Sequence, residues 1–228
     1  GLYNKPIVLD CIAYFKVLYN QYDDVNFYKI LTSSLFDIVG SDCGKITQYS
    51  RELGISLYEC TQSLELLNKL DPQSRTSLEL LHSLLTKHIS DLKKRPLSEV
   101  FISLIKDSGY LNKIDKEESI DDQLSLLYID QLYKKIAALE VDNPENNLQH
   151  LIDLIALELQ AGDSGELDEA ALISDDNAVR MLTIHSSKGL EFPYVFMVNM
   201  VQQRFPTQRK GSGIEIPRAL KKYVSDRD

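Results

Sequence analysis

Thr183, His185, Lys188, Gly189 and Glu191 fall within the nine residues Thr183-Ile-His-Ser-Ser-Lys-Gly-Leu-Glu191. Their types and spacing suit phosphate and sugar chemistry. Lys188 offers a cation and His185 a ring N–H to phosphate oxygens, and Glu191 can accept hydrogen bonds from a sugar hydroxyl. Gly189 lets the backbone turn tightly or approach a ligand closely. Apolar runs lie on both sides: Val179, Met181, Leu182 and Ile184 before the polar stretch, and Tyr194 to Met200 after it. This pattern predicts two buried strands, 179–184 and 194–200, bracketing a loop. Sheets covered on both faces place function in such loops at strand ends. A plain strand–turn–strand connection would be merely solvated there, and its propensities would not select His-x-x-Lys-Gly-x-Glu.

The rest of the chain must position this stretch. At 228 residues, 43% hydrophobic and 26% charged, it can bury a sizeable core as one large domain or a domain with a further piece. No apolar run is long enough to span a bilayer and no signal-peptide pattern opens the chain, so a cytoplasmic location is expected. Cys11, Cys43 and Cys60 are odd in number and lack C-x-x-C spacing, which predicts reduced, packed thiols. His82 and His88 are six apart, which is not a same-face ligand spacing on a helix, and no metal site is expected. The net charge of −9 argues against a nucleic-acid binder that uses its whole surface. Residues 179–222 nevertheless hold eight Lys/Arg against Glu191 and Glu215, whereas 1–178 hold 16 basic and 30 acidic groups. A basic segment beside an acidic body suits local phosphate contact.

The string Thr183-Ile-His-Ser-Ser-Lys-Gly-Leu-Glu-Phe-Pro-Tyr-Val-Phe196 closely resembles motif V of the superfamily 1 DNA helicases of the UvrD/Rep/PcrA type, with an AddA/RecB-like branch as the alternative. The resemblance implies a loop in the second motor domain that faces both single-stranded DNA and the nucleotide. Carried over by position, Thr183, His185 and Gly189 lie beside the DNA, and Lys188 supports the loop and neighbouring phosphates. Glu191 faces the ribose of ATP, with Gly189 beside it.

Weaker likenesses run in the same order. Asp10, Ala13, Tyr14 and Asp23-Asp24 fit the passage where this family leaves its second motor domain for an inserted domain, although the family's Glu is Ile7 here. Residues 32–42 stand where UvrD-like members carry Arg-Gly-Ile-Gly, a turn whose amides would hold duplex phosphates. Ser33-Ser34-Leu35-Phe36 is closer to the AddA-like form, and Phe36 and Asp37 replace the basic and glycine positions. Leu97 to Tyr110 resembles the family's helix ending in Ser-Gly-Tyr, Arg204–Thr207 its Phe-Pro segment, and Ile216–Leu220 its Leu-Pro segment before motif VI.

Two look-alikes fail on spacing. Gly44-Lys45-Ile46-Thr47 is not a phosphate-binding P-loop, because only three residues separate Gly40 from Gly44 and Ile46 follows the lysine. Asp168-Glu169-Ala170-Ala171 follows a Gly-Asp-Ser-Gly loop and is expected to start a helix.

The expected fold is mainly α, a helical inserted (2B-like) domain with a small α/β remnant of motor domain 2A. Residues 1–24 are assigned to a 2A segment, 25–173 to the helical domain and 174–228 to the 2A segment with motif V. Helices are predicted over 7–19, 25–31, 46–53, 56–69, 73–94, 96–108, 121–140 and 148–158, bounded by Gly54, Asp71-Pro72, Arg95-Pro96, Ser108-Gly109 and Asn143-Pro144. The chain reads as a piece of an ATP-dependent DNA translocase, running 3′ to 5′ in repair or recombination, that uses ATP and Mg2+. Without P-loop, Walker B carboxylates or motif VI arginine, this piece is expected to hold neither and to hydrolyse nothing alone. Expected partners are DNA, proteins meeting the helical domain, and a second copy through exposed strand edges. The competing reading is a helical interaction module.

Overall fold

A computed structural model describes residues 1–114, 120–142, 148–167, 182–185 and 187–198. The chain divides into two compact units, Gly1–Asn177 and Ala178–Asp228.

The first unit is helical, and its organising element is α1 (Pro6–Tyr19). Proline at the first helical position fixes φ where no hydrogen-bond donor is required. Ile7, Val8, Cys11, Ile12, Ala13, Tyr14, Phe15, Val17 and Leu18 are all buried. A helix apolar on most of its circumference has to be enclosed by others. Here α1 touches α2 (Asp24–Leu31), α6 (Pro72–Asp91), α9 (Ile120–Asp142) and α10 (Leu148–Gln160). Between them lie α3 (Gly40–Leu53), α4 (Leu57–Cys60), α5 (Leu64–Leu67), α7 (Leu97–Asp107) and α8 (Tyr110–Lys113).

Local chemistry marks most boundaries. The Asp23 carboxylate accepts from Asn26 N at the start of α2, and Asp71 from Gln73 N at the start of α6, where Pro72 follows. Ser56 and Glu59 form a capping box on α4, worth about 1 kcal/mol. Gly54, in the left-handed conformation at φ 64°, ends α3. Two predicted boundaries differ. Helix α3 begins six residues before Ile46, because Asp42, buried within its first turn, accepts from Lys45 Nζ (2.7 Å) and from Asp71 N (2.8 Å) and so anchors residues with no apolar period. The predicted helix 56–69 is two short ones. Its chain turns at Thr61–Ser63, where Thr61 Oγ1 donates back to Leu57 O (2.8 Å) and also bonds His82 Nε2 (2.9 Å).

A polar seam crosses this core. Ser103 Oγ donates to the Asp107 carboxylate (2.8 Å), which also takes Lys87 Nζ (2.5 Å). With its proton so committed, Ser103 must accept from His88 Nε2–H (3.1 Å), which leaves Nδ1 to accept from the Tyr14 hydroxyl (2.8 Å). Burial favours the neutral His88 ring, and in that form this tautomer fits both contacts. One hydrogen-bonded line thus ties α1 to α6 and α7.

The ends of the helical body lie side by side. Leu2 N donates to Gly165 O (3.2 Å) and Tyr3 N to Ser164 O (3.0 Å), while the Tyr3 hydroxyl donates to Glu158, which also takes Lys135 (2.9 Å). Gly165 sits at φ 82°, and a Cβ there would come within 3.2 Å of Leu2 and Tyr3.

In the second unit, the predicted strands 179–184 and 194–200 are not formed at their described residues, 182–184 and 194–198. No described residue of either unit is in a β-strand. A strand is held by ladder bonds to a neighbour, and no described residue supplies one. No helix among the described residues is long and apolar enough to cross a membrane.

Two outcomes follow from the buried polar groups. Burial pushes the His82 pKa from 6.5 down to about 4 and lowers that of His88 as well. Protons therefore bind the unfolded chain first as the pH falls. The stability of the neutral rings is complete above pH 6.5 and is lost towards pH 4, on the order of 2–3 kcal/mol for His82. Urea midpoints should fall across that window, and His82→Gln should flatten the fall. Cys11, Cys43 and Cys60 are buried, and burial pushes the Cys60 thiol up to about 12. All three should react with an aromatic disulfide reagent only after unfolding; rapid labelling of the native chain would contradict their placement.

Candidate nucleotide and nucleic-acid loop

Every residue that the sequence nominates for the site lies in the second unit, on one compact turn. Ser187 N donates to Thr183 O (3.0 Å), Lys188 N to His185 O (3.3 Å) and Leu190 N to Ser187 O (3.0 Å). The Ser187 hydroxyl adds a bond to Ile184 O (3.0 Å). These overlapping bonds bring Thr183, His185 and Lys188 within one short arc. Gly189 holds φ 86°, a conformation that costs other residues about 1–2 kcal/mol, and a Cβ there would meet nothing within 4 Å. Its role in the turn is thus conformational. Thr183, His185, Lys188, Gly189 and Glu191 are all exposed. The turn presents an ammonium, an imidazole, a hydroxyl and a carboxylate to solvent on a backbone fixed by its own hydrogen bonds. Such a set can take phosphate oxygens on one side and hydroxyl groups on the other.

The apolar run after the loop is open to solvent. Tyr194 is 84% exposed, Phe196 88% and Val198 85%. Consecutive exposed side chains of this size mark a surface that another element covers.

A family model described as "UvrD-like helicase C-terminal domain" matches residues 1–221. The chain belongs to this family. The ATP-dependent DNA helicase PcrA of Staphylococcus epidermidis is 27% identical over 207 residues, covering 90% of this chain and 27% of that protein. PcrA of Staphylococcus aureus is 25% identical over the same span, with the same coverage. The chain thus spans about a quarter of the length of these curated relatives.

In this UvrD-like domain, the second place where the sequence resembles a DNA contact is the turn between α2 and α3. Four of its amides are occupied. Ser34 N donates to Asp10 Oδ2 (3.0 Å), Leu35 N to Ser33 Oγ (3.3 Å), Ile38 N to Phe36 O (3.1 Å) and Val39 N to Ser74 Oγ (3.0 Å). The Asp37 carboxylate pairs with Lys113 (2.7 Å). A phosphate would have to displace these partners and meet a carboxylate. The Gly44-Lys45-Ile46-Thr47 string lies inside α3, with Lys45 Nζ on Asp42 and on Lys69 O (3.2 Å), so it forms no phosphate loop. Asp168–Ala171, Arg204–Thr207 and Ile216–Leu220 lie outside the described residues.

Sequence reasoning passed over the Tyr14–His88–Ser103–Asp107 line. Its members lie 74, 15 and 4 residues apart, and only the packing of α1, α6 and α7 brings them together. It also passed over the run Lys93-Lys94-Arg95, which was read as the end of a helix.

Proposed function

We propose that this chain is the part of an ATP-dependent DNA helicase that couples single-strand contact to nucleotide state. Residues 25–173 are its accessory helical domain, and 1–24 and 174–228 are segments of the second motor domain, with α1 as the joint. Thr183, His185, Lys188 and Gly189 meet the DNA strand. Glu191, with Gly189 beside it, meets the ribose of ATP. The intact motor translocates 3′ to 5′ in repair or recombination, in the nucleoid of the cytoplasm, and takes Mg2+ with its nucleotide. The 228 residues carry no Walker A loop, so on their own they hydrolyse no ATP.

One observation carries this reading: the family match runs through 183–191, and those nominated residues share a single exposed turn. A helicase–nuclease parent is the second reading, favoured by Ser33-Ser34-Leu35-Phe36 and by the occupied amides of that turn.

The decisive experiment joins the chain to the ATP-binding portion of a PcrA relative and measures DNA-stimulated ATP hydrolysis. Loss of a charge-assisted hydrogen bond at Glu191→Ala should raise the KM for ATP roughly tenfold. His185→Ala or Lys188→Ala should instead weaken salt-sensitive binding of single-stranded DNA. Full activity in all three variants would overturn the assignment.

The uncovered run 194–198 generates a separate expectation. Sedimentation should show the average mass of the isolated chain rising with concentration, and Phe196→Lys should suppress the rise. A mass independent of concentration would count against self-association.

A further inference from the structure

Charge in the helical unit is arranged so that nearly every place where an anion could settle is filled by a carboxylate. Helix N-termini are the natural anion sites of a helical protein. Those of α2, α3, α4 and α6 carry Asp23, Asp42, Glu59 and Asp71, and Glu140 reaches across to take Ser98 N (3.0 Å) and Ser98 Oγ (2.6 Å) at the start of α7. Several lysines are paired individually, as at Lys45–Asp42, Lys87–Asp107, Lys113–Asp37 and Lys135–Glu158, while Lys16, Lys29 and Lys106 stand singly with no ion pair among the described residues.

One corner gathers three cations in consecutive positions. Between α6 and α7 the chain runs Lys93-Lys94-Arg95, all three exposed. Among the described residues none of the three has an ion-pair partner, although Asp91 and Glu99 flank them. The corner is also rigid. Lys93 N donates to Ser90 O (3.3 Å), and Lys94 N and Arg95 N both donate to Asp91 O (2.8 Å each), so the three side chains leave one tight turn before Pro96 starts the next helix.

We infer that Lys93, Lys94 and Arg95 form a contact for the phosphate backbone of DNA on the helical unit, separate from the 183–191 loop. Two contiguous ammonium groups and a guanidinium supply what a sequence-independent backbone contact needs. An interface with an acidic protein would need an apolar centre beside the charges. The corner has none, since 93–96 are exposed polar residues or proline, Leu92 is half-buried and Leu97 is buried. The inference rests on the DNA-translocating reading above and adds to it a second point of grip.

The test uses the full chain and fluorescence anisotropy with a short oligo(dT), a blunt duplex and a tailed duplex, across roughly 50 to 200 mM salt. Lys93→Ala/Lys94→Ala/Arg95→Ala should lower affinity about tenfold and reduce the salt slope by 2 to 3, at about 0.9 per phosphate contact on duplex and 0.7 on single strand. The probe that responds identifies the form held. Lys106→Ala, an exposed lysine of α7, should change neither, and Lys93→Arg/Lys94→Arg should keep both.

Unchanged affinity and slope in the triple variant would overturn the proposal, whether or not its thermal stability falls. Stronger competition by polyglutamate than by DNA would also overturn it, in favour of an acidic protein. If His185→Ala still weakens binding while the triple variant does not, this inference alone fails. If the unmodified chain binds none of the three probes, both readings fail together.

Discussion

The helical unit depends on the enclosure of α1. A helix with nine buried side chains cannot be left on a surface, and burying each of the larger ones is worth about 1.5–3 kcal/mol. Its neighbours are accordingly drawn from both ends of the unit, α2 and α6 on one hand and α9 and α10 on the other. That enclosure brings a phenol into the core. Tyr14 is fully buried, and its hydroxyl would be costly to bury without a partner. His88 supplies that partner and passes the requirement through Ser103 to Asp107, which meets solvent. The same closure brings residues 2–3 against 164–165, so the helical body begins and ends at one place.

Charge is organised with similar economy. Carboxylates at helix starts satisfy backbone N–H groups and complement the helix dipole, and they also make the body a poor host for phosphate. Cations that remain unpaired therefore stand out. Lys188 in the 183–191 loop and the corner after α6 are two places where exposed cations stand.

The loop obeys a different constraint. Its turn is fixed by local backbone bonds and by the positive φ of Gly189, so its shape does not depend on a surrounding sheet. The apolar run after it does depend on one. Tyr194 to Val198 are β-prone, but extended backbone without a neighbouring strand has no ladder to join. Loop and flanks thus differ in how much of their structure is local.

The same distinction separates what was legible in the residues from what was not. The sequence by itself determined the helical class and the helix ends marked by Asp23, Ser56–Glu59, Asp71-Pro72 and Gly54, and it singled out the nine-residue string proposed as the site. All of these act through neighbours a few positions away. The early start of α3 was hidden because Asp42 is anchored by Asp71 N, 29 residues on, and the break at Thr61–Ser63 because apolar residues continue in helical rhythm across it. Only the tertiary structure decided that Tyr14 meets His88, that Ser34 N is taken by Asp10, and that Lys87 and Lys113 are paired while Lys93 to Arg95 have no ion pair among the described residues. A hydrogen bond or ion pair between distant residues leaves no period in the sequence, because its geometry exists only once the helices have packed.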